Sequence, residues 1–450
     1  MRPRLRFLAV AAAGAVAAAL LGSTPAAAAT LVQVSSDPYA AKKAQDASEA
    51  EADTYLWGST IVSTFQVGRY AGGGAVNIGW ATSNDGGSSW QHGFLPGITV
   101  AEGGPYDRAS DPAVAYDAAH GAWLINTLDI AQLNDLTVSR SADGLSWSGP
   151  VSVTVGGQGS FLDKNWMACD NTAGSPHYGT CYVSYDDAGN GGQVLLTRST
   201  DGGLTWSAPV AVAGAAGIGV QPVVQNSGRL VVPYRNNSGA MSGFFSDDGG
   251  LSFSAPVVIT ASQARVPTGM RAPRLPSAEV DGAGRIYLVW HDCRFRAGCS
   301  ANDIVLTTSD DGVSWTPVQR IPTAATDSTV DNFIPGIGAD RATSGGTAKL
   351  GLFYYWYPDA GCSKKTCQLN VGFAASGDGG ASWSTPQTLA GPMSLDWIAD
   401  AGGAMVGDYL SCTVLAGTAT SVFAVAGPNN RKTLDQAMYA PAGGIPVLGG

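Results

Sequence analysis

Glutamate and histidine are nearly missing from this 450-residue chain: the glutamates are Glu49, Glu51, Glu102 and Glu279, the histidines His92, His120, His177 and His291. Charged residues of all kinds reach only 13 %, and 25 basic side chains face 35 acidic ones, which excludes nucleic acid as a partner. No two cysteines have CxxC spacing and the histidines are scattered, so no zinc site is expected. A phosphate-binding glycine loop, a nucleophilic serine elbow and an HExxH helix are all missing, which removes kinase, esterase and zinc-protease chemistry. Beyond the first 29 residues no apolar run is long enough to cross a bilayer. Aspartate-rich loops leave calcium open, but none has EF-hand spacing, and no cofactor is expected.

What the chain holds in quantity is glycine, 60 residues of it, which suits many turns rather than long helices. Residues 1–29 read as a secretory signal: Arg2, Arg4 and Arg6, an apolar run from Phe7 to Leu21, then small residues ending at Ala27-Ala28-Ala29. A membrane anchor is the competing reading, opposed by the shortness of the run. Removing the segment takes three arginines, leaving 22 basic against 35 acidic groups, a formal charge of −13 on a mature chain from Thr30. Export permits oxidation, and six of the seven cysteines form close pairs: Cys169 with Cys181, Cys293 with Cys299, Cys362 with Cys367. Three local disulfides are expected, with Cys412 left as a buried thiol.

One motif recurs six times: Ser83 to Trp90, Ser141 to Trp147, Ser199 to Trp206, Ser246 to Phe253, Ser309 to Trp315 and Ser376 to Trp383. Its aspartates, Asp85, Asp143, Asp201, Asp248, Asp311 and Asp378, lie 58, 58, 47, 63 and 67 residues apart, about the length of one four-stranded sheet with its loops. Each copy makes physical sense as a tight turn, because aspartate bonds its own backbone amides and glycine accepts positive φ. These aspartates are therefore read as structural. Between the boxes two apolar runs recur, such as Pro112–Asp117 then Trp123–Asn126, and Pro276–Asp281 then Ile286–Trp290. A third leads into the box, as Ile304–Thr308 does, and a short fourth leaves it, as Pro317–Arg320 does.

The expected fold is all-β: a propeller of four-stranded antiparallel blades, with residues 30–53 an N-terminal strand and linker and 54–450 the propeller. Six boxes give six blades. Met405–Val414, Ser421–Ala426 and Gln436–Tyr439 supply three more strands, and Thr30–Ser35 supplies a fourth, so seven blades are favoured over six.

Boxes of the form Ser-x-Asp-x-Gly-x-x-Trp at this spacing resemble the Asp-box, or BNR, repeats of the sialidase superfamily over residues 54 to 440. In such a meander the loops entering the first strand share one face with those joining the second and third, opposite the boxes. That face carries Asp107, Arg108, Asp111, Asp163, Lys164, Trp166, Arg265, Arg271 and Arg274 before inner strands, and Arg69, Asp129, Asp186, Arg235, His291 and Arg294 after second strands. Guanidinium forks suit substrate carboxylates or sulfates. The alternative is that many of these charges are internal ion pairs, Asp107-Arg108 and Asp163-Lys164 first among them.

The resemblance implies a tyrosine nucleophile assisted by glutamate, an aspartic acid/base and an arginine clamp on an acidic sugar. Here that means Asp111 (or Asp107) as acid/base, Glu279 as the glutamate and Tyr409 (or Tyr354) as nucleophile. Arg69, Arg108, Arg235, Arg274 and Arg294 are the anion contacts and Trp166 a stacking platform. Glu49 and Glu51 fall in the expected linker. The Arg-Ile-Pro segment of sialidases is replaced by Phe65-Gln66-Val67-Gly68-Arg69-Tyr70. Two functions are expected in turn: a secreted, monomeric, sialidase-like glycoside hydrolase for acidic sugars, or a propeller that binds glycan or protein without cleaving it. A lyase reading rests only on His291 beside Arg294.

Overall fold

A computed structural model describes residues 29–429 and 433–448. The expected signal segment, apart from Ala29, lies outside the described residues.

The chain is all-β, antiparallel and propeller-like. Consecutive strands pair as neighbours: Glu49–Trp57, Thr60–Arg69, Ala75–Ser83 and Gln91–Phe94 first, then Arg108–Asp117, Ala122–Ile130, Asn134–Ser141 and Val151–Thr154. A single Cα pair, Ala75 with Ala109, joins these two sets into one eight-stranded sheet. Leu162–Cys169, Cys181–Asp187, Gln193–Ser199 and Val210–Ile218 are joined to Val223–Val224, Leu230–Asn236, Met241–Ser246 and Val257–Thr260 through Ile218 opposite Arg235. Two four-stranded sheets follow, starting at Ser277–Val280 and Asp331–Ala339.

The core sits between sheets rather than within one layer. Val62, Ile78 and Trp80 of the first set pack on Val114, Trp123 and Ile125 of the second, whose other face meets Met167, Val183 and Tyr185 of the third. The series continues to the sixth set, which packs with the C-terminal strands and with Phe65 and Val67 of the first. Face-to-face burial thus runs in a closed circuit, which removes the free sheet faces that an open array would expose.

The N-terminal strand Leu31–Gln33 pairs with Gln436–Pro441, which pairs with Phe423–Ala426. Of the expected strand Met405–Val414, only Thr413–Leu415 is extended and paired. The preceding segment leaves the ladder because Gly407, at φ 148°, lies so close to Glu51 that a Cβ would stand 2.9 Å from the Glu51 Cα. The carbonyl of Val406 instead accepts the Glu51 N–H at 3.0 Å.

All six boxes are turns between the third and fourth strands of a set. Asp85 Oδ1 accepts the N–H groups of Ser88 and Ser89 at 3.0 and 2.9 Å, and Trp90 donates its indole N–H to the Gly87 carbonyl. The same acceptor pattern recurs at Asp201 and Asp248, and Asp378 accepts Ser382 N–H. At Asp143 and Asp311, whose boxes are one residue shorter, the accepted amides move one position closer. Box tips also tie sets together: Arg140 donates to the Gly202 carbonyl at 2.5 Å and Arg198 to that of Gly249 at 3.1 Å. Disulfides join Cys169 to Cys181, Cys293 to Cys299 and Cys362 to Cys367, and Cys412 is a buried free thiol.

Candidate functional site

Four innermost strands carry a β-bulge at the same place, between Ala50 and Asp53, Ser110 and Ala113, Asp163 and Trp166, and Phe333 and Gly336. The bulged residues are Glu51, Asp111, Lys164 and Ile334, at φ of 62°, 45°, 46° and 49°. None is glycine, and a left-handed L-residue costs about 1–2 kcal/mol, so the surrounding contacts must hold each one there. A bulge re-aims the side chain of its extra residue. Three of the four are ionisable and meet one another.

Lys164 Nζ lies 2.9 Å from Asp111, 2.9 Å from Asp408 and 3.3 Å from Glu51, with Asp163 farther off at 3.8 Å. Three ammonium hydrogens face three carboxylates, which leaves the lysine no donor for a ligand. Arg271 grips Asp408 in a bidentate pair at 2.7 and 2.5 Å. Gln66 donates to Glu51 and accepts from Arg69 Nη1 at 2.6 Å. Against their burial, Lys164 holds Asp111 and Asp408 below the usual carboxylate range, with Arg271 helping at Asp408. Glu51 goes the other way: burial, with Asp111 and Asp408 adding to it, outweighs Lys164 and pushes it up to about 8.

Tyr409 closes this cluster. Its ring meets Trp166 edge-on at 4.6 Å and its hydroxyl donates to the Pro112 carbonyl at 3.0 Å. The space left between Lys164, Trp166, Gln221, Leu275 and Tyr409 is about 10 Å³, no more than a water needs. Glu51, Asp111, Lys164 and Tyr409 are all buried. The knot is a buried ion-pair network, and among the described residues in it only Arg271, its side chain 35 % exposed, and Asp163, 25 % exposed, reach solvent.

From the knot outward the same face divides by charge. Asp129, Asp163 and Asp186 stand on the second and third sets. Burial raises Asp129 to about 7, burial and Asp111 raise Asp163 to about 6, and burial and Asp163 raise Asp186 to about 8. Arg235, Arg274, His291 and Arg294 stand on the fourth and fifth. Arg294 is neutralised by Asp292, at 3.0 and 2.8 Å. Among the described residues Arg274 donates to the Gly239 carbonyl alone, at 2.9 Å. The Nε atoms of Arg235 and Arg274 and Nδ1 of His291 are buried without a partner. Burial and Arg274 push His291 down to about 3, so it is neutral. Burial and Arg235 also lower Arg274.

The structure brings Asp111, Tyr409, Trp166 and Arg69 together, and places Arg235, Arg274 and Arg294 as a second group. Arg108 is apart, stacked over Tyr70 at 4.9 Å. Glu279 is apart as well: 3.8 Å from Arg341, it lines an open cavity of about 250 Å³ with Tyr55, Trp57 and Cys412. That cavity borders Gly58 and Ala342, so it opens on the face of the boxes. Burial raises Glu279 to about 7. Sequence reasoning missed Glu51 and Asp408, whereas Lys164 was expected on this face as an internal ion pair with Asp163. Glu49 and Glu51 belong to the first inner strand, which begins at Glu49 rather than after residue 53. Among the described residues no three His, Cys, Asp or Glu side chains gather as a metal site, and no helix is long and apolar enough to cross a membrane.

Residues 59–321, more than half of the sequence, match the model of the BNR repeat-like domain. The chain belongs to that family. Five of the six boxes fall inside the matched stretch of this BNR chain, and the sixth lies beyond it. No curated protein matches it. Among solved structures it is similar to a Dyadobacter fermentans protein of unknown function, at 14 % identity and TM-score 0.45, covering 74 % of this chain and 93 % of that one. It is also similar to the NanB sialidase of Streptococcus pneumoniae, at 15 % identity and TM-score 0.43, covering 92 % and 70 %. A PL25 ulvan lyase matches at 12 % identity and TM-score 0.49, covering 90 % and 97 %.

Proposed function

We propose that this BNR chain is an exported, sialidase-like glycoside hydrolase that works as a monomer on glycans ending in an acidic sugar. Its architecture we infer to be seven-bladed: six consecutive sets of four strands, and a seventh of three, Leu31–Gln33, Gln436–Pro441 and Phe423–Ala426, from which Thr413–Leu415 departs into a separate small sheet with Thr418–Thr420 and Ile445–Pro446. Three disulfides fit export.

The observation that carries the reading is the pair Arg235 and Arg274. Among the described residues neither reaches a carboxylate at salt-bridge distance, both have a buried Nε without a partner, and both converge on the neutral, buried His291. Both side chains are half-buried, and Asp186 and Asp292 act on them only through space, so a bound carboxylate would supply the direct partner that each lacks. The glycan face is thus the one opposite the boxes, and the anion site lies off the axis.

A glycan array probed with the chain from Thr30, beside the double variant Arg235→Met/Arg274→Met, tests this reading. Acidic glycans should be retained by the wild type and lost in the variant by roughly tenfold to a hundredfold, the worth of a charge-assisted contact. Equal retention of neutral glycans, or unchanged binding in the variant, would refute it. The second reading, binding without cleavage, is favoured by the Tyr409 hydroxyl, which is already committed to Pro112 inside a sealed cluster. Retention on the array with no release from any fluorogenic acidic glycoside is its signature.

A further inference from the structure

We propose that the cavity on the box face, lined by Glu279, Arg341, Tyr55 and Trp57, is a second binding site, for a small zwitterion: a free α-amino acid with an aliphatic side chain. The inference is independent of the anion site, which lies on the opposite face.

The cavity follows from the way three chain segments end. The inner strand of the first set, Glu49–Trp57, turns at Gly58, and that of the sixth, Asp331–Ala339, gives way to Asp340, Arg341 and Ala342. Thr413–Leu415, joined to the sixth set by a bridge between Asp340 and Val414, forms a third wall. The fifth set contributes Glu279, at an inner-strand position, three residues after a proline, that holds Ala115 in the second set and Gly338 in the sixth. A carboxylate thus stands where those sets carry no functional group. The space that shares Tyr55, Glu279 and Arg341 with this cavity, and Trp166 with the knot, is about 30 Å³, the share of one water in the liquid. A guest entering from the box face therefore stops at Glu279 and Arg341.

These two side chains face each other without touching. Their closest atoms are 3.8 Å apart, beyond hydrogen-bond distance. Among the described residues no side chain reaches the Glu279 carboxylate at hydrogen-bond distance, only the Val280 N–H acts on it, and no acceptor reaches the Arg341 guanidinium. Both are open to solvent, their side chains 26 % and 42 % exposed. The other carboxylate in the lining, Asp340, is already committed, its oxygens accepting the N–H groups of Ala342 and Gly417 at 3.0 and 2.9 Å.

An open carboxylate beside an open guanidinium suits a ligand that carries both signs of charge, with its ammonium on Glu279 and its carboxylate on Arg341. A plain anion would meet Glu279 as well as Arg341, and a plain cation the reverse. The remaining walls are Ala339, Ala342, Val414, Leu415 and Trp57, one face of whose ring stacks on Tyr116 at 5.2 Å. A sugar would bury hydroxyls against those aliphatic side chains, which return no hydrogen bond, whereas an aliphatic side chain needs none. At about 250 Å³ the cavity is smaller than the roughly 300–1,000 Å³ of sites for drug-sized ligands, so its guest is small.

Isothermal titration calorimetry on the purified protein tests this at pH 8, where Glu279, raised to about 7, is ionised. The ligands are L-leucine, isocaproate, which lacks the ammonium, isoamylamine, which lacks the carboxylate, and glucose. Leucine should bind about tenfold or more tightly than either truncated analogue, because each analogue loses one charge-assisted contact. Glu279→Gln should weaken leucine by about tenfold and bring isocaproate level with it; Arg341→Met should do the same for isoamylamine. Arg235→Met/Arg274→Met should bind leucine as the wild type does, so failure of this site and failure of the anion site are read separately. If a variant folds poorly, the wild-type ranking of the four ligands decides. Equal affinity for leucine and its two analogues, tighter binding of glucose, leucine affinity unmoved in both variants, or no heat from leucine at millimolar concentration overturns the inference.

Discussion

Replacing Lys164 by methionine removes the only ammonium from a buried knot of three carboxylates. Glu51 is already pushed toward its neutral form, and Asp408 keeps Arg271, so Asp111 bears the loss. Breaking a buried pair by deleting one partner costs about 3–5 kcal/mol. Unfolding entropy near 2.1 cal/mol/K per residue gives the roughly 420 described residues about 0.9 kcal/mol/K, so the expected fall in melting temperature is about 3–6 °C. Methionine at 164 inherits the left-handed backbone, φ 46°, so backbone strain does not differ between the two proteins. Differential scanning calorimetry from pH 7 to pH 4 is the assay. Asp111 and Asp408 have folded values below their ordinary ones, so their contribution is present above the ordinary carboxylate pKa and is lost as pH falls through the folded values. Without Lys164 the same carboxyls accept protons readily, and the gap between variant and wild type should narrow on acidification. A shift under 1 °C at pH 7, or a gap that widens toward acid, would refute the reasoning.

Three other outcomes are expected. Arg274→Met should raise the His291 pKa from about 3, because Arg274 is the main charge depressing it; an NMR titration of the imidazole that shows no movement would count against the cluster. Asp201→Ala strips acceptors from Leu204, Thr205 and Ser199, and should lower the melting temperature without weakening binding on the opposite face. Cys169→Ser/Cys181→Ser, which frees partners 12 residues apart, should cost about 3 kcal/mol in urea unfolding, and an unchanged midpoint would contradict that estimate.

Much of the fold was legible because the boxes mark one fixed place in each set of strands, and aspartate with glycine has few other ways to sit there. The pairing of Leu31–Gln33 with the C-terminal strands was legible for a different reason: an array of this kind leaves strands over at both ends. The site was less so. Glu51 reads as linker in the sequence because the stretch before residue 54 has no clean alternation, and the bulge is what breaks it. Each bulge shifts the side-chain phase by one residue, and the four bulged residues share no chemistry, so no motif reveals them. Glu279 stood out as an odd carboxylate on an inner strand, yet it lies beyond the bulge position and lines the cavity on the box side. Arg235, near the end of Leu230–Asn236, and Arg274, three residues before Ser277–Val280, could be placed on the face opposite the boxes from strand order alone.

The account stands on an anion site at Arg235, Arg274 and His291, and the most direct test is calorimetric titration with an acidic oligosaccharide and its carboxyl-reduced counterpart. The two ligands differ only in charge at the sugar carboxyl. The acidic form should bind at least tenfold more tightly, with the preference abolished in Arg235→Met/Arg274→Met. Equal affinity for the two forms, or a preference that survives loss of both arginines, would contradict the account.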